Sequence, residues 1–140
     1  MRKFFVFRIN KEMSILAKKN PYNLYRSLEQ IYKMNKEELY VGSNIYEQII
    51  KLINIKNLND EIFSAYQHND YYKKVNNKHF FYNKYRPENT ILTINNTYLV
   101  IESDAIFPIF FKFLSKKRDY LACDFENKDY FWLDELILCK

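Results

Sequence analysis

The segment "KFFVFRI", residues 3–9, is dense in apolar side chains of high β-propensity, and this pattern predicts a buried first strand. Met13, Leu16 and Ala17 then recur at i, i+3 and i+4, which predicts a short helix over 11–19 with those three on one face. Asn20 and Pro21 stop it and open the next helix, Asn20 as a cap and Pro21 in the first turn where its missing N–H costs nothing. Leu24, Leu28 and Ile31 form the stripe of that helix, over 21–34. Gly42 and Ser43 read as a break after a short extended piece at 38–41. Ile45, Ile49, Leu52 and Ile53 predict a helix over 44–54. Asn59 is expected to cap a further helix, with Asp60 and Glu61 in the first turn where the helix dipole favours them. The polar, Asn-rich stretch 68–78 reads as a loop.

The second half alternates differently. Strands are predicted at 79–85, 90–94 and 97–103, with "RPEN" as one turn. Asn95–Asn96 is a pair able to take the positive φ of a tight hairpin. Residues 104–117 read as a helix with Pro108 in or near its first turn. Phe107, Phe110, Phe111 and Leu114 give it an apolar stripe that Ile106, Ile109 and Phe113 widen, so burial is expected. "YLACDFENKDYFWL", residues 120–133, is most economically two strands around a polar turn, with Cys123 buried and Trp132 near the core. Residues 1–140 therefore read as a single α/β (α+β) domain, a mixed, largely antiparallel sheet with helices packed on it.

Composition adds limits. With 48% apolar residues, 12 Phe and 13 Tyr, the chain has the material for one real core. The start "MRKFFVFRINKEM" resembles a signal sequence, but Arg8, Asn10, Lys11 and Glu12 break its apolar run at once. No segment reaches the roughly 18 apolar residues of a membrane span, so a cytoplasmic protein is expected. Cys123 and Cys139 read as free thiols. The net charge of +5 leaves room for an acidic partner, although codons for Lys, Asn, Ile, Tyr and Phe are all AT-rich and base composition alone yields such a balance.

A search for chemistry finds little. One glycine rules out a glycine-rich phosphate cradle. His68 lies in the polar stretch, and His79 opens a strand, where a partly exposed structural role is expected; neither has metal-ligand spacing. Glu102 and Asp104 suit capping at a strand-to-helix junction. Asp124, Glu126 and Asp129 surround the last turn; they offer oxygen ligands but lack calcium-loop spacing, and turn formation accounts for them. No catalytic residue, metal, cofactor or small-molecule substrate is assigned, and the chain reads as a non-enzyme. The Tyr/Lys-rich stretch 71–85 supports an alternative, a nucleic-acid-binding module that stacks bases beside cations.

Two stretches carry a resemblance. "FFKFLSKKRDYLACDFENKDYFWL" at the end, with "FFVF", "INKEM" and "LYRSLEQIY" near the start, resembles the SirA family, sporulation inhibitors of replication from spore-forming Firmicutes. The resemblance implies a protein that binds the N-terminal domain of the replication initiator DnaA through helices in its first half, without chemistry. It places Met13 and Ala17 at first-helix contact positions where the family carries aromatics, Leu16 beside them, and Gln48 at a third position.

Overall fold

The computed structural model describes residues 1–33 and 46–136. The extended piece expected at 38–41, the Gly42–Ser43 break and Cys139 lie outside them. Seven strands form one sheet: β1 (Arg2–Arg8), β2 (Tyr72–Val75), β3 (Lys78–Asn83), β4 (Glu88–Ile94), β5 (Leu99–Ser103), β6 (Tyr120–Asp124) and β7 (Asp129–Trp132). Their order is β2-β3-β4-β5-β1-β6-β7, and every pairing between named strands is antiparallel. The strand β1 sits between the meander β2–β5 and the hairpin β6–β7, with Phe5 opposite both Val100 and Cys123.

Alternation along β1 sends Phe4 and Val6 to one face and Phe5 and Phe7 to the other. The first face packs under helices α3 (Ile55–Tyr66) and α4 (Ile109–Leu114), with Leu58, Ile62, Phe110, Phe111 and Leu114 against Leu92, Ile94, Leu99 and Ile101. The second packs under α1 (Lys11–Ala17) and α2 (Tyr22–Lys33), where Leu24, Tyr25 and Leu28 meet Phe7, Leu121, Cys123 and Trp132. A buried carboxylate holds α2 down. Glu29 accepts a hydrogen bond from Tyr25 Oη at 3.1 Å and pairs with Arg26, Lys33 and Lys128. Burial opposes its ionisation, but the Tyr25 bond and the three cations outweigh that and hold it below the usual carboxylate range.

Four boundaries differ from the sequence expectation. Helical structure in the expected 44–54 segment is described for residues 46–49 only, because Ile50 leaves to bridge Ile9 and Ile53 N donates to Asn96 O at 2.7 Å. The cap of α3 is Asn54, whose side chain accepts from Asn57 N, so Asn59 and the acids after it fall mid-helix. The expected loop 68–78 contains β2, and positive φ falls on Asn76 in its hairpin, not on Asn95–Asn96. The helix expected over 104–117 is α4 at Ile109–Leu114, with Pro108 near its first turn as expected but in an extended conformation at the position before it. The preceding residues, disfavoured from helix by that proline, leave Ile106 and Phe107 exposed instead of buried. Glu88 of β4 accepts from Ile109 N at 2.9 Å and closes the helix start that Pro108 does not cap.

His79 is a correction of a different kind. It is fully buried, and its ring ties three elements together. Nε2 lies 2.7 Å from Asn59 Oδ1 on α3 and Nδ1 lies 2.6 Å from Tyr72 Oη on β2. An amide oxygen only accepts, so Nε2 carries the proton and Tyr72 donates to Nδ1. A neutral ring satisfies both contacts, and burial, helped by Lys74, lowers the His79 pKa to about 4.

That depression sets a pH dependence of stability. Because unfolding lets His79 bind a proton, stability is complete above the unfolded value near 6.5 and declines as the pH falls toward about 4. Urea unfolding at pH 7 and pH 5 is expected to show a loss of about 2 kcal/mol. Replacing His79→Gln removes that part of the difference while lowering stability at pH 7; an unchanged slope in the variant contradicts the assignment.

Candidate functional site

The helix α1 turns two of its aliphatic side chains to the outside and a serine to the inside. Its buried positions are Ser14 and Ala17, 3% and 9% exposed. Ile15 and Leu16 point outward, 69% and 80% exposed. Polar anchors make this arrangement possible. The Ser14 hydroxyl donates to Asp119 just ahead of β6, and Lys18 Nζ reaches both carboxylate oxygens of Asp134 at 2.8 Å. The Lys18 ammonium also sits 4.5 Å from the centre of the Trp132 ring. With its inner face fixed by hydrogen bonds and ion pairs, α1 leaves two branched aliphatic side chains in water.

Asn10 joins this helix to the next candidate position. Its side chain accepts from Met13 N at 2.9 Å as the cap of α1 and donates to Gln48 O. Its own N–H donates to Ile49 O at 2.9 Å. Met13 and Gln48 are thus linked through one residue. Met13 is half-buried against the second core cluster, Gln48 is exposed, Leu16 is exposed and Ala17 is buried. Of the expected face Met13–Leu16–Ala17, Leu16 therefore turns away from the other two. Sequence reasoning passed over Asn10 and Ile15. Asn10 had a visible signal, since it stands three residues before Met13 at a helix start; Ile15 had none, since it lies off the expected Met13–Leu16–Ala17 face.

The other candidate groups are occupied structurally. Arg2 bridges Asp124 and Asp129 at 2.9 Å each, clamping β1 to the β6–β7 hairpin. Asp124 also accepts from Asn127 N and Nδ2 at 3.1 and 2.8 Å. Burial alone raises its pKa, but these bonds and Arg2 lower it below the ordinary value. Among the described residues, no group of three or more His, Cys, Asp or Glu is placed to hold a metal ion. Burial pushes the Cys123 thiol up, away from the thiolate form. The 71–85 stretch is split by the hairpin: Tyr72 and Phe81 join the core cluster, while Tyr82 and Tyr85 stay exposed.

A family model described as the sporulation inhibitor of replication protein SirA matches residues 2–136. The chain belongs to the SirA family. A comparison with curated proteins found no match. In this SirA-family chain the match spans all seven strands and helices α1 to α4, so the resemblance of the two ends extends through the middle. The family is one of replication inhibitors, and no described helix is long and apolar enough to cross a membrane.

The inverted helix makes a stability prediction. Leu16→Ser and Ile15→Ser are expected to leave the urea midpoint almost unchanged, within about 0.5 kcal/mol. Ser14→Ala, which strips a partner from the Asp119 carboxylate, costs about 1–2 kcal/mol. The reverse ranking contradicts the assigned faces.

Proposed function

We propose that this chain restrains replication initiation in the cytoplasm by binding the N-terminal domain of DnaA through α1 and the neighbouring residues 46–49. Membership of a family of sporulation inhibitors of replication supports the role. The single structural observation behind the site is the outward display of Leu16 from a helix whose inward face holds Ser14. An aliphatic side chain held in water is costly to the free protein and gains about 1.5–3 kcal/mol when a partner covers it. Leu16 is the central anchor, and half-buried Met13 supplies an adaptable thioether beside it. Gln48 contributes a polar contact at the rim, while buried Ala17 seats α1 on the core beneath the surface that Leu16 presents.

Inhibition in this reading is occlusion. A bound SirA-family chain covers a surface of DnaA that other components require, and no bond is made or broken. Asp124 and Asp129 are held by Arg2 at the start of β1, whereas α1 follows the end of that strand.

Calorimetric titration of the DnaA N-terminal domain tests the reading. Binding at low-micromolar concentration is expected for the native chain, about tenfold or more weaker binding for Leu16→Glu, and a smaller loss for Gln48→Ala. The thermal midpoint of each variant is expected to stay near that of the native chain. Absence of binding by the native chain at tens of micromolar ends the proposal.

A further inference from the structure

Three segments distant in the chain meet where β1 ends. Ile9 N donates to Asp119 O at 2.8 Å, Lys51 N donates to Arg8 O at 2.7 Å, and Ile9 bridges Ile50. Between these segments and the first turns of α3 lies a cleft of about 540 Å³. Its floor is apolar, made by buried Ile9, Ile53 and Leu58. Its walls are cationic: Arg8, Lys11, Lys51, Lys117 and Arg118 face two carboxylates, those of Glu61 and Asp119.

Both acids are already engaged. Glu61 pairs with Lys117 at 2.5 Å, and Asp119 accepts the Ser14 hydroxyl. The other four cations form no ion pair among the described residues. Among the described residues, the Arg8 side chain makes one long hydrogen bond, to Leu52 O at 3.4 Å. Four like charges around one depression repel one another and focus a positive potential into it. A chain whose net excess is +5 over its whole surface has placed much of that excess in this one concavity.

We propose that the cleft binds a compact polyphosphate anion, the chemistry shared by inorganic triphosphate and the phosphate chain of a nucleoside triphosphate. The volume suits a small ligand. Two guanidinium groups match phosphate oxygens in paired hydrogen bonds, and the lysines add point charges that a monoanion leaves largely unneutralised. The observations favour this over single-stranded nucleic acid, because the one aromatic residue lining the cleft among those described, Tyr120, is buried and offers no stacking platform. The inference stands apart from the DnaA reading, as its ligand and measurement differ and, apart from Lys11 at the start of α1, so do its residues.

Calorimetry on the full chain in about 50 mM salt tests it, with sodium triphosphate, adenosine triphosphate, citrate and an oligothymidylate as separate probes. Triphosphate is expected to bind with a dissociation constant of about 10–100 µM, and citrate at least about tenfold more weakly. Lys51→Glu and Arg118→Glu, both at exposed positions, each weaken triphosphate about tenfold or more. Lys84→Glu, exposed beyond β3, changes it less than about twofold. Equal affinity for the two phosphate probes identifies the phosphate chain as the whole ligand; tighter binding of the nucleotide adds its nucleoside. Silence with triphosphate at about 1 mM, equal sensitivity to Lys84→Glu, or cleft-dependent binding of oligothymidylate alone overturns the proposal.

Discussion

The architecture depends on β1 being paired along both edges while it is covered on both faces. The meander β2–β5 and the hairpin β6–β7 are joined within the sheet only through this strand. Its side chains enter both clusters, Phe4 and Val6 one and Phe5 and Phe7 the other, so it belongs to two cores at once. Its ends are polar and serve different purposes. Arg2 closes the β6–β7 turn, and Arg8 faces the cleft beside Lys51. A change in the register of β1 would exchange its two apolar faces and undo both layers together.

Much of this arrangement was legible where periodicity was strong. The density of Phe and Val in 3–9 marked a strand covered on both faces, and Leu24 and Leu28 marked the inward stripe of α2. The last hairpin was legible from its apolar runs and polar turn, Cys123 and Trp132 being buried as expected. What failed were positions decided by distant partners. Asn59 looks like a cap in isolation, yet His79, twenty residues on, recruits it into the core. Nothing local distinguishes β2 from a polar loop, because Lys73 and Val75 face outward and its stability comes from pairing with β3. At the candidate site, Leu16 and Gln48 were named from the sequence, but the facing of α1 was not. A spacing that places Met13, Leu16 and Ala17 together cannot reveal that Ser14 meets an aspartate 105 residues away.

A common pattern runs through the charges. Asp124 and Asp129 share Arg2, Glu29 gathers three cations, Asp134 holds Lys18, and Asp119 accepts from Ser14. Carboxylates are thus drawn into fastening one element to another, while several lysines and arginines stay on the surface. The chemistry that looked available in the linear chain is consumed in assembly, and the remaining surface is aliphatic at α1 and positive at the cleft. The family to which the chain belongs is one of replication inhibitors.

The central position of β1 also has a consequence for biosynthesis. It is translated ahead of every strand it pairs with, and the residues that flank it, 99–103 and 120–124, leave the ribosome roughly a hundred residues later. At about 5–20 residues per second, its four aromatic and aliphatic positions from Phe4 to Phe7 wait for several seconds without a partner. The nascent chain therefore presents a sticky segment early and completes its sheet late.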